Sequence, residues 1–205
     1  MLIEDDKITF RTVTIGDSCV GKTCIINRFI RDSFNPEQRN TVGSLFDSFT
    51  AEREGHSIIV HLWDTAGQEQ YRSLGTVYFR SAAAAFVVFD ITNRQSFKNC
   101  GEWLTSFRGS SGDSPVVFLV GNKCDMSNEN RQVTEDEARS FAIENGMKYF
   151  ETSALTGENV QLLFDSLVDE LYKTNIQDSS RIVNVSKLAG MTPENQTSHE
   201  KNGCC

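Results

Sequence analysis

The sequence lacks the features that mark secreted, membrane-spanning and nucleic-acid-binding chains. Its first residues, MLIEDDK, have neither the basic start nor the apolar core of a signal peptide. No apolar run approaches the roughly 18 residues that a membrane-spanning helix needs. The formal net charge of −8 argues against nucleic acid as a partner, because such binding depends on cationic side chains that neutralise phosphates.

The chain also has little that would hold zinc or require disulfides. Its 6 cysteines show no C-x-x-C pairing and no histidine-rich context of the kind that binds zinc. A chain of 205 residues can bury roughly 70% of its unfolded surface without covalent cross-links. We therefore expect the reduced thiols of a cytosolic protein, with only the terminal pair, Cys204 and Cys205, placed for chemistry.

The stretch from Gly16 to Thr23, GDSCVGKT, fits the phosphate-loop pattern G-x-x-x-x-G-K-[ST]. Its glycines allow a turn in which backbone N–H groups surround a phosphate, and a following helix directs its positive end at the same anion. Lys22 would add a positive charge at the terminal phosphates, and Thr23 a hydroxyl for Mg²⁺. A strand-like run precedes the loop and helical apolar spacing follows it, so a chance match is a poor explanation.

The segments after this loop predict an α/β sheet. A polar loop ends at Thr41, and two strand-like runs then flank the turn at residues 53–56, which predicts an antiparallel hairpin at the sheet edge. Residues 82–89 and 116–120 are continuously apolar, as strands buried on both faces must be. Because strands alternate with helices, the sheet should be mainly parallel and doubly wound.

Helix starts are predicted where a capping residue stands shortly before Glu or Gln. Thr92 with Gln95 and Thr134 with Glu137 fit this capping box. The last helix is predicted from one apolar stripe, made of Val160, Leu163, Phe164, Leu167, Val168 and Leu171. Periodicity stops near residue 175, so we expect a folded domain at residues 1–174 and a disordered tail at residues 175–205.

Three polar motifs follow predicted strands, at the ends where ligands bind in an open α/β sheet. Asp64 begins the run DTAGQE, Asn122 begins NKCD, and the run ETSA ends at Ala154. The Asp125 carboxylate can accept hydrogen bonds from N1–H and the exocyclic amine of guanine, which adenine does not offer. The Ala154 N–H could donate to the guanine carbonyl oxygen. Each motif alone is more often a simple turn or strand exit, but the ordered set favours a guanine nucleotide.

Together, GDSCVGKT, Thr41, DTAGQE, NKCD and ETSA resemble the small GTPases of the Ras superfamily over about residues 7–174. Trp63, the stretch YRSL at residues 71–74 and the Cys-Cys end resemble the Rab family in particular. The resemblance implies a three-layer P-loop GTPase fold, with a mostly parallel six-stranded sheet, one antiparallel edge strand and about five helices. It also implies a switch that cycles between GTP and GDP and regulates vesicle-mediated membrane trafficking.

The resemblance implies catalytic roles for three residues. Lys22 would contact the β- and γ-phosphates, the Gly67 amide would hold the γ-phosphate, and Gln68 would orient the attacking water. No residue can be assigned as a stabilising arginine within the chain. We therefore expect slow intrinsic hydrolysis of GTP to GDP and phosphate, and an activating protein that accelerates it.

Binding roles follow from the same resemblance. Mg²⁺ would be bound directly by Thr23 and Thr41, with Asp64 acting through water. Phe34 would pack against guanine, and the stem of Lys123 would lie along the face of the base. The nucleotide would be contacted by a wider set, namely Ser18, Cys19, Val20, Gly21, Lys22, Thr23, Cys24, Phe34, Thr41, Gly67, Asn122, Lys123, Asp125, Ser153, Ala154 and Leu155.

The resemblance also implies partners and a membrane anchor. A guanine-nucleotide exchange factor and a GTPase-activating protein would drive the cycle, and effector proteins would bind the GTP form of a monomer. Cys204 and Cys205 would carry geranylgeranyl groups, added with a Rab escort protein and covered by a GDP dissociation inhibitor away from the membrane. We expect the cytoplasmic face of an endomembrane compartment, with a cytosolic pool.

Two positions depart from the Rab pattern. Leu45 stands where an acid is usual on a partner-facing strand, and Cys19 stands where glycine is frequent. Phe46, Trp63 and Tyr78 match the aromatic triad that Rab proteins present to effectors, although ordinary half-buried sheet aromatics fit the same positions. A nucleotide-locked scaffold and a small-molecule kinase are the competing functions, and the kinase is disfavoured because no arginine-rich lid segment is visible.

Overall fold

A computed structural model of the protein describes residues 2–4, 7–41, 43–67, 78–111, 114–126 and 130–174. Gln68, residues 71–74 and the predicted tail with Cys204 and Cys205 lie outside these described residues. The roles assigned to them, and the boundary between domain and tail, therefore stay predictions.

The described residues form a central 7-stranded sheet. Its strands are β1 (Leu2–Glu4), β2 (Lys7–Ile15), β3 (Ser44–Arg53), β4 (His56–Thr65), β5 (Ala84–Asp90), β6 (Val116–Asn122) and β7 (Lys148–Thr152). Along the main path β3-β4-β2-β5-β6-β7, β3 pairs antiparallel with β4 and the other pairs are parallel. The predicted six-stranded, mostly parallel sheet with one antiparallel edge strand is confirmed. Strand β1, antiparallel to β2, is an addition too short to show periodicity in the sequence.

Helices cover both faces of the sheet, which gives the three layers of an α/β fold. The described residues hold α1 (Lys22–Arg31), α2 (Arg94–Lys98), α3 (Cys100–Arg108), α4 (Glu135–Glu144) and α5 (Val160–Tyr172). Helices α1 and α5 pack on one face, through residues such as Ile25 and Leu163. Helices α2, α3 and α4 pack on the other, through Phe97, Trp103 and Ala138. None of the helices in this part of the chain is both long and apolar enough to cross a bilayer.

Helix starts follow the capping chemistry of their first turns. At α4, the Thr134 hydroxyl accepts a hydrogen bond from the Glu137 N–H at 3.3 Å, so the predicted start is confirmed. At α2, the prediction that Thr92 caps the helix is wrong, because the Thr92 hydroxyl donates to Asp90 Oδ1 at 2.7 Å instead. Asn93 caps this helix, since its side-chain oxygen accepts from N–H groups of the first turn.

The predicted hairpin is formed by β3 and β4, and it also holds the end of α5. Its turn is at Glu54 and Gly55, whose φ angles of 48° and 81° are the left-handed values that a tight hairpin needs. Arg53 Nε donates to Asp169 Oδ1 at 2.6 Å, and the Tyr172 hydroxyl donates to Glu54 Oε2 at 2.8 Å. The last helix therefore ends beside the amino end of β4.

The parallel strands bring their carboxyl ends to one end of the sheet. Asp90, Asn122 and Thr152 end β5, β6 and β7 and lie side by side in register. Thr14 of β2 pairs in the same way with Asp64 of β4. Ligands bind at this end in open α/β sheets. The polar motifs that are far apart in the sequence are thus gathered in one place.

Phe164 should contribute strongly to stability. Its side chain is fully buried, stacks on Phe29 with ring centroids 3.8 Å apart, and meets Phe86 edge-on at 5.4 Å. We expect Phe164→Ala to lower the free energy of unfolding by about 3–5 kcal/mol, because it leaves a cavity and removes the ring contacts. Leu162→Ala, at a side chain 53% exposed on the same helix, should change that free energy by less than about 0.5 kcal/mol. Urea unfolding measures both, and equal losses would contradict this account.

Candidate functional site

A cleft of about 370 Å³ opens at the carboxyl ends of the parallel strands. Most residues predicted to bind a nucleotide line it, namely Ser18, Cys19, Gly21, Lys22, Thr23, Cys24, Phe34, Thr41, Gly67, Asn122, Lys123, Asp125, Ala154 and Leu155. The loop between α1 and β3 adds Asn35, Pro36, Gln38, Arg39 and Asn40 to the lining. The volume lies within the roughly 300–1,000 Å³ that is usual for small-molecule sites.

Three other residues predicted for the site stand behind this lining. The Val20 side chain is 1% exposed and packs in the core, while its carbonyl accepts from Asn122 Nδ2 at 2.9 Å. The Ser153 hydroxyl donates to Asp125 Oδ1 at 2.6 Å. Asp64 is buried and bonded to Thr23. Val20 can therefore offer a ligand only its main chain, and Ser153 acts on Asp125.

The phosphate loop connects β2 to α1 in the order that the sequence predicts. Gly21 has a φ of 98°, and a Cβ added to it would lie 2.2 Å from Asn122 Nδ2. Any other residue there would be strained and would displace Asn122. The first turn of α1 follows directly, so its unpaired N–H groups and the positive end of the helix face the cleft.

Lys22 is the buried cation of the site. Its Nζ donates to the carbonyl oxygens of Gly16 at 2.9 Å and Asp17 at 2.7 Å. Burial lowers the pKa of Lys22 to about 8, although the charges of Asp64, Asp17 and Cys19 act in the opposite direction. An anion on the loop would favour the protonated form of Lys22, because it supplies a counter-charge where water is excluded.

Three oxygen-bearing side chains meet beside the phosphate loop. The Thr23 hydroxyl lies 2.5 Å from Asp64 Oδ2 and 2.8 Å from the Thr41 hydroxyl, which lies 3.4 Å from Asp64 Oδ2. Burial raises the pKa of Asp64, while the hydrogen bond from Thr23 acts to lower it. Hydroxyl and carboxylate oxygens suit Mg²⁺, which takes few protein ligands and shares its coordination with phosphates and water. The residues present therefore fit a magnesium ion.

The opposite end of the cleft is organised by Asn122. Its Oδ1 accepts from the Ala154 N–H at 3.2 Å and from the Thr152 hydroxyl at 3.3 Å. Together with the bond to the Val20 carbonyl, these contacts join the phosphate loop to the segment after β7. Asp125 lies on the same side of the cleft, so a carboxylate and an ordered loop are available to recognise a base.

Sequence reasoning missed the residues that support this end. Lys123 Nζ forms an ion pair with Asp90 Oδ2 at 2.6 Å, and Asp90 is buried. Arg28 on α1 donates from Nε to the Ala154 carbonyl at 2.9 Å and from Nη2 to the Leu155 carbonyl at 2.8 Å. Neither Asp90 nor Arg28 belongs to a motif with a binding pattern. Their sequence signal is an acid at the end of a buried strand and an arginine within the helix after the phosphate loop, which is too weak to assign a role.

The comparisons with known proteins agree with this geometry. The sequence profile of the Ras family matches residues 11–173. The Ras-related protein RABA4d of Arabidopsis thaliana is 37% identical over 205 residues, which cover 96% of this chain and 92% of that protein. The Ras-related proteins RABA5a and RABA2b of the same plant are 37% and 36% identical, and the matches cover 98% and 96% of this chain and 97% and 94% of those proteins.

A match of this extent settles the family. Members of the Rab family hydrolyse GTP, bind GTP or GDP with Mg²⁺, and work with regulators and effectors. The cleft, with its phosphate loop, its cluster of hydroxyl and carboxylate oxygens and its Asp125 carboxylate, is in keeping with that chemistry. The chain belongs to the Rab family of Ras-superfamily small GTPases, the GTP-hydrolysing switches of vesicle-mediated membrane traffic.

Proposed function

We propose that the site residues assigned from the sequence divide the binding and hydrolysis of GTP among them. The observation that carries the proposal is the meeting of three parts in one cleft. Lys22 of the phosphate loop, the Thr23 hydroxyl with its partners, and Asp125 all lie there. The phosphates would lie on the loop beside Lys22, and guanine would lie between Phe34 and Lys123 with its edge on Asp125.

Magnesium would be held by Thr23 and Thr41 directly and by Asp64 through water. When bound, Mg²⁺ would offset the negative charge of the β- and γ-phosphates. Thr41 comes from the loop between α1 and β3, while Thr23 comes from α1. Whether that loop is ordered would therefore depend on the bound nucleotide, and partner proteins would detect the γ-phosphate through the conformation of the loop.

Hydrolysis would depend on positioning more than on acid–base chemistry. The Gly67 amide would hold the γ-phosphate, Lys22 would stabilise its charge, and Gln68 would orient the attacking water. These groups supply only part of the stabilisation that the transition state needs. A GTPase-activating protein would supply the rest, and an exchange factor would reload the site with GTP.

Effector proteins would contact the edge of the sheet formed by β3 and its neighbour β4. Leu45 and Phe46 on β3 are 48% and 51% exposed, and as neighbours in a strand they lie on opposite faces of the sheet. Phe46 meets Trp63 edge-on at 5.3 Å, and Trp63 lies 5.6 Å from Tyr78. An apolar side chain at position 45 would disfavour partners that offer a cation there and favour partners with an apolar contact.

The tail would carry the protein on a membrane through geranylgeranyl groups on Cys204 and Cys205. A single lipid chain gives only marginal binding, so stable anchoring takes a second signal. Basic residues do not provide it, because Arg181, Lys187 and Lys201 are balanced by acidic residues. An escort protein would present the chain for lipid addition, and a GDP dissociation inhibitor would cover both lipids in the cytosol. The monomer would then act on the cytoplasmic face of an endomembrane.

Asp125→Asn should change the base that the site selects. An amide offers a donor to the 2-oxo group of xanthine but loses one acceptor for guanine, and a bond to a charged group contributes about 1.5–3 kcal/mol. We expect GTP affinity to fall at least about tenfold and xanthosine triphosphate affinity to rise. Equilibrium titration with both nucleotides measures this, and Asp136→Asn on exposed α4 serves as control. Unchanged GTP affinity would show that this motif has another role.

Gln68→Leu and Thr23→Asn should have opposite effects on the switch. The first should leave GTP binding intact and slow hydrolysis at least about tenfold, because the attacking water loses its orienting group. The second should disturb Mg²⁺ and leave the protein with GDP or empty. Single-turnover hydrolysis and analysis of the bound nucleotide measure both. Equal hydrolysis by wild type and Gln68→Leu, with an activating protein present, would rule out the role given to Gln68.

Cys204→Ser alone should release most of the protein from membranes, because one lipid chain binds only marginally and the tail has no net positive charge to help. Fractionation of cells that express the single and double Cys→Ser variants measures the shift, and Ser198→Ala in the same tail is the matched control. Intact-mass measurement of the membrane-bound wild type completes the test. An unmodified C-terminus in that fraction would overturn the lipid anchor.

A further inference from the structure

Asp17, in the phosphate loop, places a negative charge beside a site built for anions. Its Oδ2 accepts a hydrogen bond from Asn99 Nδ2 at 2.7 Å, and its Oδ1 accepts one from Trp103 Nε1 at 2.8 Å. A carboxylate near phosphates is repelled by them, so anion binding does not explain why an aspartate occupies this position. The two hydrogen bonds do give a reason, because bonds to an ionised group are stronger than bonds between neutral groups.

Both donors are held rigidly in the helical layer. Asn99 joins α2 to α3, and Trp103 follows one turn later, so the two side chains share a helix face. Trp103 is 2% exposed and packs in the core beneath α3. Gln95 Nε2 donates to Asn99 Oδ1 at 2.8 Å, which leaves Asn99 Nδ2 for the carboxylate of Asp17. A carboxylate only accepts hydrogen bonds, so the orientation of the Asn99 amide is fixed from both sides.

The main chain of Asp17 contacts two groups assigned to the terminal phosphate. Lys22 Nζ donates to the Asp17 carbonyl oxygen at 2.7 Å. A Cβ added to Gly67 would lie 2.4 Å from that carbonyl oxygen and 2.5 Å from Lys22 Nζ, so Gly67 packs directly against both. The position of Asp17 therefore sets how the Lys22 ammonium and the Gly67 amide stand relative to each other.

We propose that Asn99 and Trp103 are positioning residues for the γ-phosphate of GTP. They fix the Asp17 carboxylate, and through the Asp17 main chain they fix the arrangement of Lys22 and Gly67. The inference rests on the proposed roles of Lys22 and Gly67. We call the hydrogen bonds from Asn99 and Trp103 to the Asp17 carboxylate the clamp. Because GDP lacks the γ-phosphate, loss of the clamp should weaken the binding of GTP more than that of GDP, and it should slow hydrolysis.

An exchange of the two polar groups tests the clamp. Asp17→Asn replaces an acceptor oxygen with an amide nitrogen, so that two donor groups, at positions 17 and 99, face each other. Asn99→Asp instead brings two carboxylates together. In the double variant, the amide introduced at position 17 donates to the carboxylate introduced at position 99 and still accepts from Trp103. The other oxygen of that carboxylate still accepts from Gln95, so the double variant restores the hydrogen-bond pattern with the total charge unchanged. Trp103→Phe keeps a buried ring and removes only the indole donor.

The measurements use the full chain and compare nucleotides that differ by one phosphate. We expect each single variant to release a non-hydrolysable GTP analogue about tenfold faster than wild type, as loss of a bond to a charged group implies. GDP release should change by less than about threefold, and single-turnover hydrolysis should slow in parallel with the loss of the analogue. The double variant should return both rates to within about threefold of wild type. Thr105→Ala, on the exposed side of α3 where the hydroxyl bonds only within the helix, should match wild type.

Three results would overturn the inference. The double variant could release the analogue as fast as the single variants do, or GDP and analogue release could be accelerated equally. Alternatively, the single variants and Trp103→Phe could all match wild type. Thermal unfolding of every variant, recorded beside the kinetics, identifies one that fails to fold, and Trp103→Phe then supplies the comparison. If wild type itself failed to bind guanine nucleotides, the proposed function would fall. If wild type binds GTP and the Asp17 variants behave like it, only the proposal of the clamp is overturned.

Discussion

The site depends on one buried amide, the side chain of Asn122. It is 2% exposed and lies at the carboxyl end of β6, between the phosphate loop and the segment after β7. Its nitrogen donates to the Val20 carbonyl of the phosphate loop, and its oxygen accepts from the Ala154 N–H in the segment after β7. Only a group with both a donor and an acceptor can join these two loops. A carboxylate or a hydrocarbon in its place would leave a buried polar group without a partner, so the spacing of the two loops across the cleft depends on this residue.

The features that could be predicted from the sequence are those fixed by interactions between residues close together in the chain. The phosphate loop needs a left-handed Gly21 and a lysine at fixed spacing, and both can be recognised in a few residues. The Thr134 cap, the Glu54–Gly55 turn and the apolar stripe of α5 are likewise set by neighbours in the chain. The doubly wound order of strands then follows from general rules of connection, so the sequence alone identifies the carboxyl ends of the strands as the ligand end.

The parts that could not be predicted are contacts between distant segments. Asp17 and Asn99 are 82 residues apart, and nothing near either residue indicates the other. The same holds for Arg28 and the Ala154 carbonyl, which are 126 residues apart. The error at Thr92 has the same origin, because a buried carboxylate at the end of β5 accepts from the Thr92 hydroxyl and N–H and leaves the capping of α2 to Asn93. Tertiary partners decide which of two plausible local bonds is formed.

The anchoring of α5 to the hairpin determines where a mechanical pull on the C-terminal segment would act. The bonds from Arg53 to Asp169 and from Tyr172 to Glu54 tie the end of this helix to the turn of β3 and β4. That turn lies at the amino end of β4, while the cleft lies at its carboxyl end. Tension transmitted through residue 174 would first load the hairpin and the stacked rings of Phe164 and Phe29. The cleft opens at the other end of β4 from the point where this tension would enter the fold.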